Sequence, residues 1–251
     1  MRMRRRRLTG SIIATALLAL TLLAPARPGL AQSAPTGSAE AGTIVTRPMQ
    51  WEGRPPPHRI LLPAAYTPGN EVPLVVGLHG GFGSGDQFRR DNGLNQALNA
   101  RGMIGVFPDG VAGPVRGIRT WNAGNCCAYS QVADVDDVGF IGALVARMQR
   151  RYDVAPLRIY ALGHSTGAMM SSRLACELPG LFAAIAPVEG AIDDTHPCRP
   201  RHRMNVLIVH GRRDTNVPYD GGVGTGYSRV DYASVAQAVE RWQRIDHCDG
   251  T

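Results

Sequence analysis

The sequence has 251 residues, 44% of them hydrophobic, and a formal charge of +7, which is enough apolar material for one sizeable core and one domain. All 27 basic residues are arginine, and Arg2, Arg4, Arg5, Arg6, Arg7 and Arg27 lie in the first 31 residues with no acidic residue among them, which leaves the remainder close to +1. That distribution removes the case for a nucleic-acid or acidic-lipid surface: the positive balance belongs to the N-terminus.

The N-terminus reads as a leader. "MRMRRRRLTG" is a cationic head, "SIIATALLALTLLA" an apolar run and "PGLAQS" a small-residue cleavage site with Gly29 and Ala31 in place, which predicts a signal peptide over residues 1–31. A membrane anchor is the alternative, but the apolar run is shorter than the roughly 18 to 20 residues of a span. The arginine cluster hints at twin-arginine export. Residues 32–42 are small and polar, a flexible tail, and 43–251 form the expected folded domain. Export makes the protein secreted, extracellular or periplasmic, without a membrane partner after cleavage.

"TIVTRPMQW" and "HRILLPAAY" predict two early strands, a hairpin at a sheet edge given the prolines. Buried-type strands follow at 73–80, 102–110, 157–165, 182–190 and 204–211. Helical patterns sit between them, most clearly in "DVDDVGFIGALVARMQRRY", where Val138, Ile141, Leu144, Val145 and Met148 share one face. Asp134 is the expected cap of that helix, with Asp136 and Asp137 at its positive end. "YASVAQAVERWQRI" is the last helix. The alternation implies a mostly parallel sheet covered on both faces.

Cys126, Cys127, Cys176, Cys198 and Cys248 meet an oxidising compartment after export, where pairing is expected. Adjacent cysteines close only a strained ring, so Cys126 and Cys127 are expected to find partners elsewhere, and an odd count leaves at least one thiol unmated. No metal-ligand spacing is present, and no metal or organic cofactor is expected.

Chemistry concentrates in "RIYALGHSTGAMMSSRLACELP". A strand ends in Gly163-His164-Ser165-Thr166-Gly167 and a helix begins at once, the context of a nucleophile elbow. Glycines two places either side remove the collisions of a sharp turn, Ser165 projects its hydroxyl, and the Thr166 amide points where an oxyanion forms. "LHGGFGSG" follows an earlier strand, and the Gly81 amide is the expected second donor. Asp214, on the loop after "VLIVHG", follows the serine in the order that the α/β-hydrolase fold uses for its acid.

These blocks, with "WNAGNCC", "VDDVGFIGALV", "FAAIAPVEGA" and "HGRRDTNVPYDGG", resemble the secreted polyhydroxybutyrate depolymerases and feruloyl esterase-like hydrolases from about residue 60 onward. The resemblance implies an α/β-hydrolase fold and hydrolysis of carboxylic esters, either hydroxyalkanoate polyesters or feruloyl and acetyl esters of polysaccharide. It makes Ser165 the nucleophile, Asp214 the acid, and Gly81 and Thr166 the oxyanion donors. Trp121 lies on a pocket loop in that family and lines an acyl or aromatic subsite, with a purely structural indole as the alternative.

The family's catalytic histidine lies on a loop beyond the cysteine that resembles Cys248, and the sequence ends at Thr251. His79 and His210 end strands but sit in blocks that keep a separate catalytic histidine. His164 lies within the elbow, His247 closes a helix, and His58, His196 and His202 have no positional support. The expectation is therefore a chain cut before its last strand and histidine loop. The alternative is a pseudoenzyme that binds such esters without turnover.

Overall fold

The structure, a computed structural model, describes residues 42–49, 51, 58–114, 118–190, 192, 197–226 and 229–248. The signal peptide, all of the tail but Gly42, and His196 lie outside them. Strand β1 (Thr43–Arg47) pairs antiparallel with β2 (His58–Leu62), from Thr43 opposite Leu62 to Arg47 opposite His58. Pro48 and Pro63 follow the two strands directly and lack the N–H that would extend the ladder. Strand β3 (Val72–Leu78) leads to α1 (Gly85–Asp91), α2 (Leu94–Ala100) and β4 (Ile104–Phe107). The Ser84 hydroxyl caps α1 by accepting from the Gln87 amide at 3.1 Å. A small hairpin, β5 (Val111–Ala112) with β6 (Arg119–Thr120), precedes α3 (Ala128–Val132) and α4 (Asp137–Arg151).

The cap of α4 is Asp136, whose carboxylate accepts from the Gly139 amide at 2.7 Å. This corrects the expectation for Asp134. That residue stands one turn earlier in a left-handed conformation (φ 45°) and accepts instead from the Asn122 side chain at 3.2 Å. Asp137 is fully buried and accepts from the Asn122 amide at 2.6 Å. The acidic triplet thus ties the start of α4 to the "WNAG" loop.

Strand β7 (Val154–His164) runs into α5 (Thr166–Glu177), followed by β8 (Ala184–Val188) and β9 (Asn205–Val206). A second hairpin, β10 (Gly222–Val223) with β11 (Asp231–Tyr232), leads to α6 (Val235–Ile245), which opens with a Ser234/Gln237 capping box. The seven-stranded sheet has the order β1-β2-β4-β3-β7-β8-β9. Strand β2 is antiparallel to both neighbours, and β4, β3, β7, β8 and β9 are all parallel. Strand β9, two residues long, falls short of the strand expected over 204–211. Leu207 and Val209 still donate to the carbonyls of Ile185 and Pro187, at 3.0 and 3.1 Å. Pro187 has no N–H to return to the Leu207 carbonyl, so the ladder breaks there.

Side-chain alternation along β3 explains the double covering. Leu74, Val76 and Leu78 join Leu144, Met148, Met170 and Leu174 of α4 and α5 in one core. Val75 points the other way, with Phe88 of α1 and Leu98 of α2 in a second core that includes Phe107. Among the described residues no helix is long and apolar enough to cross a membrane.

The cysteines need one correction. Cys126 and Cys127 are joined to each other, not to distant partners. Both are buried; the Tyr232 hydroxyl lies 3.9 Å from Cys126 Sγ and the Met169 sulfur 4.0 Å from Cys127 Sγ. Cys176 pairs with Cys198 at 1.96 Å, and Cys248 is an exposed free thiol.

His58 opens β2 at 4% exposure, and its Nε2 has no partner among the described residues. Burial, with the Arg147 charge adding to it, lowers its pKa from 6.5 to about 4. A depressed histidine pKa means that the folded form binds fewer protons. The stability it contributes is complete above about pH 6.5 and is lost as pH falls towards 4. The loss should reach about 2 kcal/mol by pH 5. Chemical denaturation between pH 7 and 4.5 should show that slope, and His58→Leu should flatten it; an unchanged slope in the variant would assign the effect elsewhere.

Candidate active site

The sheet's centre delivers one residue to an extreme position. Strand β7 ends at His164 and α5 begins at Thr166, so Ser165 alone makes the reversal, at φ 53° and ψ −118°. Its amide donates to the Val188 carbonyl at 2.9 Å, and its carbonyl accepts from Ala168 and Met169 at 2.9 and 3.1 Å. Its side chain makes no cap bond to the helix, so the hydroxyl is not consumed by α5. The flanking glycines are required by contact: a Cβ on Gly163 would strike the Gly167 carbonyl, and one on Gly167 would strike the Leu78 carbonyl.

The loop after β3 is held against this elbow by His79, which is almost fully buried. Gly110 N–H donates to His79 Nε2 at 2.9 Å, so that nitrogen is an acceptor and the proton sits on Nδ1, which donates to the Gly80 carbonyl at 2.7 Å. Burial pushes the imidazole pKa down, keeping the ring neutral. The Phe82 amide, in a left-handed residue (φ 67°), donates to the Arg119 carbonyl at 3.1 Å. Gly81 then faces Thr166: among the described residues beyond its chain neighbours, the one atom within 4 Å of a Cβ built there is Thr166 Cγ2, at 3.8 Å. The two expected oxyanion donors therefore lie on facing segments beside Ser165.

Trp121 is placed differently from the subsite residue that the resemblance implies. It is fully buried, and its indole N–H donates to the His79 carbonyl at 2.9 Å. The ring packs 5.1 Å from the His79 imidazole. The indole braces the end of β3 where the loop over residues 80–83 begins, and it is not among the residues lining the cavity over Ser165.

Asp214 stands on the loop after β9. One carboxylate oxygen accepts from the amides of Asn216 and Val217 at 2.8 and 3.1 Å, and the other lies 3.5 Å from His210 Nε2. His210 Nε2 donates to the Val217 carbonyl at 2.8 Å. A cavity of about 290 Å³ opens over Ser165, lined also by Gly81, Thr166, Asn216, Val217 and Tyr232. Asp214 borders it through the two amides it holds. A second cavity of about 260 Å³ adjoins the first along Gly80, Gly81, Phe82 and His164.

Two further groups border the site. Tyr232, on β11, has its phenol pKa raised by burial first and by the Asp214 charge second, which sets it close to the acid. His164 Nε2 pairs with Glu189 Oε2 at 3.1 Å, and Glu189 is itself left-handed (φ 52°). Only the hydrogen-bonding potential of tyrosine and the position of Glu189 at a strand's C-terminal end could have signalled them. Among the described residues no group of three His, Cys, Asp or Glu side chains is placed to hold a metal.

The glycines give opposite expectations. Gly163→Ala and Gly167→Ala meet backbone and should destabilise by about 1–3 kcal/mol or prevent folding. Gly81→Ala meets ordinary van der Waals contact with Thr166 Cγ2 at 3.8 Å and should leave the thermal midpoint within about 1 °C of the parent, while its methyl fills the gap opposite Thr166. Differential scanning calorimetry of the three variants checks the contrast; a destabilised Gly81→Ala would mean that the loop is packed more tightly than its contacts indicate.

Comparisons with known proteins identify the family and the fold. Feruloyl esterase B of Piromyces equi is 29% identical over 197 residues, covering 76% of this chain and 35% of that protein. "Probable feruloyl esterase C" of Aspergillus clavatus is 28% identical over 236 residues, covering 91% of this chain and 78% of the relative. The chain thus spans only about a third of the length of the Piromyces protein. A thermostable esterase of known structure superposes with a TM-score of 0.56 at 18% identity, covering 83% of this chain and 53% of that one, and shares the α/β-hydrolase fold. The model of the esterase PHB depolymerase family matches residues 59–225, from the second strand of the sheet past the Asp214 loop, and the chain belongs to that family.

Proposed function

We propose that the chain is a secreted serine hydrolase that cleaves carboxylic esters through an acyl-enzyme, with Ser165 as nucleophile and Asp214 as the acid of the triad. The observation that carries this reading is the Ser165 backbone, held at φ 53° between two glycines whose Cα atoms admit no side chain. Strain of that kind costs on the order of 1–3 kcal/mol and persists where the surroundings over-determine it. Here it leaves a hydroxyl free of the helix on the floor of a cavity.

In the proposed reaction Ser165 Oγ attacks the ester carbonyl carbon while its proton passes to a base. The amides of Gly81 and Thr166 donate to the oxyanion, each worth roughly 3 kcal/mol. The base returns the proton to the departing alcohol, and water then attacks the acyl-serine, releasing the acid and restoring Ser165. The base required is a histidine oriented by Asp214, which the family resemblance places on a loop beyond Cys248. The two adjoining cavities offer room for groups on either side of the carbonyl. Hydroxyalkanoate polyesters and feruloyl or acetyl esters of polysaccharide are the substrate classes, supported by the family and by the relatives' names. The leader and the Cys176–Cys198 bridge support export.

A second reading, ester binding with little turnover by residues 32–251, is favoured by one set of contacts. The histidines bordering the described site are engaged: His79 with Gly80 and Gly110, His164 with Glu189, and His210 with the Val217 carbonyl. Without a positioned base, about 10³ to 10⁴-fold catalysis over water remains from the oxyanion donors and binding.

Incubation with p-nitrophenyl acetate, followed by peptide mass analysis, should find an acetyl adduct on the peptide containing Ser165. Ser165→Ala should lose the adduct while melting like the parent. Hydrolysis by residues 32–251 should run at least about a thousandfold below that of a longer chain carrying the family's histidine loop. An adduct unchanged in Ser165→Ala would remove Ser165 from the mechanism, and ordinary esterase rates would point to His210.

A further inference from the structure

Thr166 carries a second donor besides its amide. Its side-chain hydroxyl is buried and has no hydrogen-bond partner among the described residues, in a residue only 8% exposed that lines the cavity over Ser165. An unpaired buried hydroxyl destabilises the fold, so its presence calls for a reason. Helix α5 itself supplies the contrast. Ser171 and Ser172, one turn further on, both donate to the Ala168 carbonyl, at 2.7 and 3.4 Å. That is the ordinary outlet for a helical hydroxyl. Thr166 is the first residue of α5, and the carbonyls three and four places before it belong to β7, whose ladder they serve. The outlet is missing because of where the residue stands.

We propose that the Thr166 hydroxyl is a third oxyanion donor, a catalytic group that is unpaired in the resting site and paired in the tetrahedral intermediate; this rests on Ser165 being the nucleophile. The Thr166 methyl now faces Gly81 across the gap between the two donor segments, 3.8 Å from a Cβ built there. Rotation about the Cα–Cβ bond by a third of a turn carries the hydroxyl to the position the methyl now holds and the methyl to that of the Cβ hydrogen, all of them staggered. The hydroxyl then points into the space between the two amides. A carbonyl oxygen has two lone pairs, which the amides of Gly81 and Thr166 occupy. The tetrahedral oxyanion has three, so a third donor is satisfied only after Ser165 Oγ has bonded to carbon. An interaction made only at that stage raises kcat and leaves ground-state binding alone.

The test compares Thr166→Val, which keeps the shape and removes the hydroxyl, with Thr166→Ser, which keeps the hydroxyl. On p-nitrophenyl acetate Thr166→Val should lower kcat about 10- to 100-fold, with KM within about twofold of the parent. Its melting temperature should equal or exceed the parent's, because an unpaired buried hydroxyl has been replaced by a methyl. Thr166→Ser should keep kcat within about threefold. Phenylboronic acid, which forms a tetrahedral adduct with a serine oxygen, gives a reading that does not need turnover: Thr166→Val should weaken its binding about tenfold, and Thr166→Ala should do the same if the valine variant does not fold. Unchanged kcat or boronate affinity in the variants lacking the hydroxyl would overturn the proposal. No boronate binding by the parent, or binding that survives Ser165→Ala, would instead overturn the assignment of Ser165 on which it rests.

Discussion

The chain reverses from β7 into α5 within a single residue, and the backbone there is packed too closely for any side chain larger than hydrogen at the flanking positions. Gly163 lies against the Gly167 carbonyl and Gly167 against the carbonyl of Leu78 in the neighbouring strand. That crowding couples three elements at once: the end of β7, the first turn of α5 and the end of β3. The sheet order follows the same need, because β3 and β8 flank β7 and deliver the loop over residues 80–83 and the Val188 carbonyl to the serine. A parallel sheet gathers the loops at the carboxyl ends of its strands on one side. The elbow is the point on that side where the packing leaves no slack.

The loop after β3 has no regular structure to hold it, and a neutral histidine takes over that task. His79 links the Gly80 carbonyl to the Gly110 amide, and its own carbonyl receives the Trp121 indole. Three segments after β3, β4 and β6 are thereby fixed without a charge. An imidazolium could not do this, because both ring nitrogens would donate and the Gly110 amide would lose its acceptor. Burial and function agree here: the environment that depresses the pKa is also the one that demands the acceptor.

The sequence discloses this architecture where a physical rule acts over short distances. The alternation of Leu74, Val76 and Leu78 against Val75, and the apolar face of α4, were legible because period alone identifies them. The elbow was legible because its steric demand leaves glycine as the only solution at two fixed positions. What escaped depends on contacts between distant segments. Whether Trp121 faces a ligand or a strand end is decided by the His79 carbonyl, 42 residues away. The pairing of Cys126 with Cys127 depends on what the core places around them. Asp136 rather than Asp134 caps α4 because Asn122 recruits Asp134. Tyr232 reaches the site through a hairpin of two-residue strands, too short to leave a pattern.

The acid loop illustrates how one hydrogen-bond inventory limits what a site can do. His210 Nε2 has a single hydrogen, and it is 2.8 Å from the Val217 carbonyl but 3.5 Å from Asp214. The shorter contact claims it. One Asp214 oxygen is filled by the amides of Asn216 and Val217, which fix the carboxylate's rotation. Among the described residues its other oxygen receives only this long approach from His210, so it retains acceptor capacity for a donor arriving from outside the loop. Nearby Tyr232 is kept protonated by burial and by that same negative charge, so the phenol adds no competing anion. Orientation by the loop amides on one oxygen, with the other left receptive, is the arrangement an imidazole N–H would need from Asp214 in the proposed triad role.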